Sequence, residues 1–162
     1  MHYFVFPSKD SYISSGSNIR SLVHNKFADE TWVNKNFGQD EILELKKGFR
    51  NKSFDYQTRV LLQFDLTDLS SSIVSGDISS DAVFHLKMWE AEGNSGLSGE
   101  YKLAAFPLSQ SWDEGVGHDY DRPKVTEGVS WENRSYPQMG TALTWSNADG
   151  TNSNGGTFDE SD

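Results

Sequence analysis

Between Arg59 and Leu66 the chain alternates: Val60, Leu62, Phe64 and Leu66 are apolar, with Arg59, Gln63 and Asp65 among them. A period of two marks a β-strand with one face toward a core, and β-branched and aromatic side chains suit a pleated surface. The pattern predicts a central strand whose less buried face carries Arg59 and Asp65, tying neighbouring loops. Residues 81–89 alternate again, with Ala82, Phe84, Leu86 and Met88 on one face and Val83, His85, Lys87 and Trp89 on the other. They predict a second strand. The glycine-rich tip 92–99 then separates it from a β-rich segment at 100–108 that pairs with it or neighbours it.

Elsewhere the punctuation is clearer than the period. Residues 2–6 read as a first strand that Pro7 ends or places at a sheet edge, with a turn at 8–10 and a long loop, with room for one strand, through 11–30. Residues 31–33 predict a short strand before the turn residues Asn34, Asn36 and Gly38, and residues 41–45 the next strand. Residues 46–57 form a polar, hairpin-like connection. Residues 67–74 predict one or two helical turns, capped by Thr67 or Asp68 and broken at Gly76 and Asp77. Residues 129–131 are a last short strand. From Ser146 onward, glycines, asparagines and acids lack the apolar content to order themselves. The reading is one all-β domain over residues 1–145, an antiparallel β-sandwich of jelly-roll-like character, followed by a flexible or partner-ordered tail at 146–162.

Charge narrows the partners. With 24 acidic against 14 basic side chains the formal charge is -10, a field that repels nucleic-acid backbones and anionic membrane surfaces. No cysteine is present, so disulfide scaffolds, thiolate zinc sites and cysteine nucleophiles are excluded. The first residues lack a basic region followed by an apolar run, and no stretch is apolar enough to span a membrane as a helix, so the expectation is folding in the cytoplasm.

The densest chemistry lies in 111–123. Asp113, Glu114, Asp119 and Asp121, beside His118 on a glycine-containing loop, are candidate calcium ligands, since that ion takes oxygen donors. The plainer reading is a solvated acidic loop with carboxylates capping backbone amides. Paired carboxylates also serve glycoside hydrolysis, but a sandwich of this size offers little wall for a deep cleft, and no Gly-x-Ser-x-Gly elbow occurs. No enzyme activity and no cofactor other than calcium are expected. Aromatics reach 13%, with five tryptophans, so some rings are candidate binding faces. Trp89, out of phase with its apolar neighbours, joins Trp32 and Tyr120 as a candidate glycan contact; Trp112 and Trp131 read as core.

An ordered set of motifs carries a resemblance: Asp10-Ser11-Tyr12-Ile13, Asn36-Phe37-Gly38, the run from Arg59 to Leu66, Ser111-Trp112-Asp113-Glu114 and Gly128-Val129-Ser130-Trp131. Their order and spacing resemble the DNRLRE-type domain, a β-sandwich similar to carbohydrate-binding modules, over about residues 3–133. Residues 38–45 and 107–115 look like versions found in virion structural proteins of large tailed phages. The resemblance implies a non-catalytic structural or adhesive virion protein, assembled in the host cytoplasm and contacting other virion proteins or copies of itself. The alternative is an extracellular carbohydrate-binding module that recognises a surface polysaccharide through exposed aromatics. Family domains continue past the Trp131 region into further strands, where this chain has its polar tail. The expectation is therefore a fragment, or a sheet completed by a partner's strand.

Overall fold

The computed structural model describes residues 3–16, 31–50, 53–93, 102–147 and 149–156. They form two compact units: Met1–Ser8 with Gln63–Ala105, and Lys9–Leu62 with Phe106–Asp162. The alternating run lies in β3, Ser53–Phe64, flanked by β1, Pro7–Ser14, and β2, Lys47–Arg50, in the order β1-β3-β2. The expected central strand is thus central. A second antiparallel pair joins β4, Asn133–Ser135, to β5, Leu143–Thr144. With a single short helix, α1, Thr67–Ser75, among the described residues, the fold is all-β and sandwich-like.

Which face of β3 meets the core differs from the expectation. Leu61 is 6% exposed and belongs to the core, whereas Val60, Leu62 and Phe64 are only half-buried. Because successive strand side chains point to opposite faces, Leu61 shares its face with Arg59. That arginine can lie there because its polar atoms are satisfied. Its Nη1 donates to the Gly155 and Gly156 carbonyls, and its guanidinium stands 5.0 Å over the Trp131 ring. Asp65 is exposed, and its Oδ1 accepts bonds from the Thr67 amide (3.0 Å) and hydroxyl (2.7 Å).

The first strand begins at Pro7 instead of ending there, and it lies at the edge of its sheet, with the residue that lacks an N–H at the strand's first position. The supposed turn at 8–10 is strand, and burial rises along it to the buried run Ser11, Tyr12, Ile13 and Ser14. Polar side chains hold its ends: Ser8 Oγ donates to the Gln63 carbonyl at 3.1 Å, and Ser15 Oγ accepts from the Gln57 N–H at 3.0 Å. Residues 41–45 carry no strand. The ladder starts in the expected hairpin connection, pairing Lys47 with Gln57 and Gly48 with Tyr56 before a register shift. At Gly48 a Cβ would lie 2.4 Å from the Tyr56 ring, so the glycine makes room for that ring.

The strand expected at 81–89 is absent. Residues 82–90 have neither strand nor helix, and Phe84, Leu86 and Met88 are all exposed, so the apolar row has no covered face. Residues 102–107 likewise carry no strand, and residues 18–30 of the long loop and most of the 92–99 tip lie outside the described residues. Residues 129–131 are buried but not extended into a ladder; β4 starts two residues later, at Asn133. The helix forms where expected, but neither Thr67 nor Asp68 caps it: Leu66 is the N-cap, with no side-chain cap bond, and Asp65 Oδ1 accepts the Thr67 N–H. The helix closes at Gly76, whose φ of 83° lets its N–H reach the Ile73 carbonyl.

The core lies in the second unit. Ile13 and Leu61 from the three-stranded sheet pack with Trp112, Val129, Trp131 and Trp145, and Val33 and Leu108 lean on them. Trp145 is fully buried, and its Nε1 donates to the Ser130 carbonyl at 2.9 Å, so the ring is buried without an orphaned donor. Beyond it the chain turns back: Ser153 N–H donates to the Trp145 carbonyl (2.9 Å) and Gly155 N–H to the Trp131 carbonyl (2.6 Å), with Gly155 and Gly156 buried. Residues 149–156 are therefore packed on this unit, and 157–162 lie outside the described residues. No helix among the described residues is long and apolar enough to cross a membrane.

Candidate functional site

Three of the sequence motifs meet at Asn36. This residue is fully buried, and its amide makes every bond it has to offer. Nδ2 donates to the Glu114 carbonyl (2.7 Å) and the Val129 carbonyl (2.8 Å); Oδ1 accepts from the Gly38 N–H (3.1 Å) and the Gly117 N–H (2.7 Å). Its backbone N–H donates to the Val125 carbonyl at 2.9 Å. One side chain thereby ties the Asn36-Phe37-Gly38 turn to the acidic loop and to the Gly128-Val129 segment. Glycines make the approach possible. A Cβ on Gly38 would lie 2.0 Å from the Glu114 carbonyl oxygen, and one on Gly117 2.5 Å from the Asn36 carbonyl oxygen.

Beside this knot sits a buried cation. The Lys35 side chain is fully buried, with Nζ donating to the Asp119 carbonyl, 3.8 Å from Asp119 Oδ1 and 5.3 Å from the Phe37 ring. Phe37 stacks on Tyr12 with centroids 4.3 Å apart. Burial first, and then the charges of Asp40 and Asp119, raise the Tyr12 hydroxyl above its ordinary pKa of 10.0, so the phenol stays protonated. Nothing in the arrangement activates it as a base or nucleophile.

The carboxylates of the acidic loop are engaged by hydrogen bonds, most of them from distant parts of the chain. Asp113 Oδ2 accepts from the Ser135 hydroxyl, Glu114 Oε1 from the Asp10 N–H (2.9 Å), and Asp121 Oδ2 from the His118 N–H (2.7 Å). Asp119 instead turns its own N–H to Asp40 Oδ1 at 2.9 Å. Among the described residues no group of three or more histidine, cysteine, aspartate or glutamate side chains gathers where it could hold a metal ion. The four candidate calcium ligands therefore do not converge on one another. Asp10, next to Glu114, has its carboxyl pKa raised, by burial first and by the Glu114 charge second.

The candidate glycan contacts have unlike settings. Trp32 is half-buried, with its ring perpendicular to those of Phe37 (6.4 Å) and Tyr56 (6.0 Å). Tyr120 is 71% exposed and stacks on His118 with centroids 4.8 Å apart. Trp89, in the first unit, is 77% exposed, with Lys87 Nζ 4.7 Å from its ring.

On the second unit an open groove of about 380 Å³ runs between the acidic loop and the start of the connection after β4. Asp113, Glu114, Val116, Glu127, Tyr136 and Pro137 are among the residues that line it. Gly115 (φ 83°) and Gly128 (φ 103°) approach so closely that a Cβ on Gly128 would lie 2.4 Å from Gly115 Cα. Glu127 and Tyr136 carry no sequence signal of their own, and only chain closure brings them to the acidic loop. Comparison with known protein families, curated proteins and solved structures gives no match to this chain.

Proposed function

We propose that this chain is a non-catalytic structural protein of a tailed-phage particle, working through contacts between subunits or as a decoration of the particle surface. The observation that carries the reading is the apolar row of the first unit: Val83 (77% exposed), Phe84 (68%), Leu86 (53%), Met88 (52%) and Trp89 (77%) all face outward in one extended stretch. Contiguous exposed apolar surface of this kind favours association over a solitary existence. The phage setting rests on the ordered motifs shared with the DNRLRE-type domain. The meeting of three of them at Asn36 is in keeping with a structural use of those motifs. Fractionation of purified particles tests the proposal: the protein should co-sediment with them after salt washing, and a protein found only in the unassembled fraction ends it.

A second reading, a carbohydrate-binding module, is favoured by the exposed Tyr120 ring on its His118 support and by Trp89. Aromatic faces of this kind suit the C–H faces of sugars. Titration with neutral and acidic polysaccharides should then quench tryptophan emission or retard the protein on glycan columns. Neither change on any glycan sinks this reading.

A further inference from the structure

The groove between the acidic loop and Tyr136 combines concavity with charge of a single sign. Asp113, Glu114 and Glu127 line it, and among the described residues none of the three is in an ion pair. Their hydrogen bonds, from Ser135 to Asp113 and from the Asp10 amide to Glu114, come from neutral donors and leave the charges uncompensated. Between the carboxylates lie apolar surfaces, with Val116 53% and Tyr136 40% exposed, and Pro137 beside them. A bare cation site would not need these. A lysine or arginine side chain uses both, laying its methylene stem on apolar surface and its charged head against carboxylates and an aromatic ring.

We propose that this groove docks a lysine- or arginine-bearing segment of a partner protein. Charge complementarity selects the occupant, since a chain of net charge -10 disfavours a second copy of itself as the source of that segment. The inference concerns the isolated protein and stands or falls separately from particle association.

The probe is a short peptide of alternating glycine and lysine, titrated at physiological salt, with the alternating glycine–glutamate peptide as its counterpart. Three proteins are compared: the unaltered chain; D113N/E114Q/E127Q, whose amides keep the oxygen acceptors for Ser135 and Asp10; and D68N/D77N/D81N, which removes the same charge from exposed positions elsewhere. The lysine peptide should bind the unaltered chain and the second variant alike and the groove variant about tenfold more weakly. Should the groove variant fail to fold, E127Q and Y136A are measured singly, each expected to weaken binding severalfold. Equal weakening by both triple variants overturns the proposal, since the net field alone would then explain binding. So does absence of lysine-peptide binding, equal binding of the glutamate peptide, or groove-dependent binding of an oligosaccharide or calcium without a change in peptide affinity.

Discussion

Asn36 concentrates more structural consequence than any other described side chain. Replacing it with alanine leaves two buried N–H groups and two carbonyls without partners, so Asn36→Ala should cost about 4 kcal/mol in denaturant unfolding. Asn36→Asp should be no better, because it substitutes acceptors for two donors and buries a charge. Asp10 behaves oppositely. Its raised pKa means that the folded state favours the protonated carboxyl, so its contribution is favourable below the unfolded value of about 3.8 and lost as pH rises through the folded value. Asp10→Asn should therefore raise the melting temperature at pH 7, with the gain vanishing as pH falls below the carboxylate range. In the sequence Asn36 could be read as a turn residue within a motif, but not as the hub. Its partners Glu114, Gly117 and Val129 lie far along the chain, and no local pattern signals a bond between them.

At the scale of elements, β3 and α1 were legible because their signals are local: alternation for the strand, and turn-breaking residues for the helix end. Gly76 and Gly38 separate two reasons for a glycine. Gly76 has φ 83° and nothing within 4 Å of an added Cβ, so Gly76→Ala should cost about 1 kcal/mol, the strain of a left-handed residue alone. Gly38→Ala must displace the Glu114 carbonyl and should cost about 3 kcal/mol, measured in the same denaturant series. The buried face of β3 was not legible. Leu61 and Leu62 are chemically alike and adjacent, so the choice between them fell to Trp131 and to the buried carbonyls of Gly155 and Gly156, which give Arg59 a place on the core side. The beginning of β1 was misplaced for a similar reason. Its polar residues look like a turn until Gln57 and Gln63 supply partners.

For the whole molecule, the apolar row at 83–89 is the feature that a solitary chain leaves unexplained. If it mediates association, Phe84→Glu with Leu86→Glu should shift the sedimentation coefficient of concentrated protein to that of the monomer and abolish particle binding, while the melting temperature of the Trp145-centred core stays within a few degrees. Unchanged association in that variant would move the contact surface elsewhere.

The sequence by itself determined what is set by neighbouring residues: the all-β class, a central strand within Ser53–Phe64, the helix that ends at Gly76, and a charge that disfavours nucleic acid. The alternating row at 81–89 shows the boundary of that information, since alternation states a capacity to pair and cannot supply the partner strand. Only the tertiary structure decided which face of β3 is buried, that residues 149–156 pack back on Trp131 and Trp145, that one asparagine joins three distant segments, and that Glu127 and Tyr136 face the acidic loop across a groove. Those outcomes depend on burial and on pairing buried polar groups across long separations, which take effect only when the chain closes.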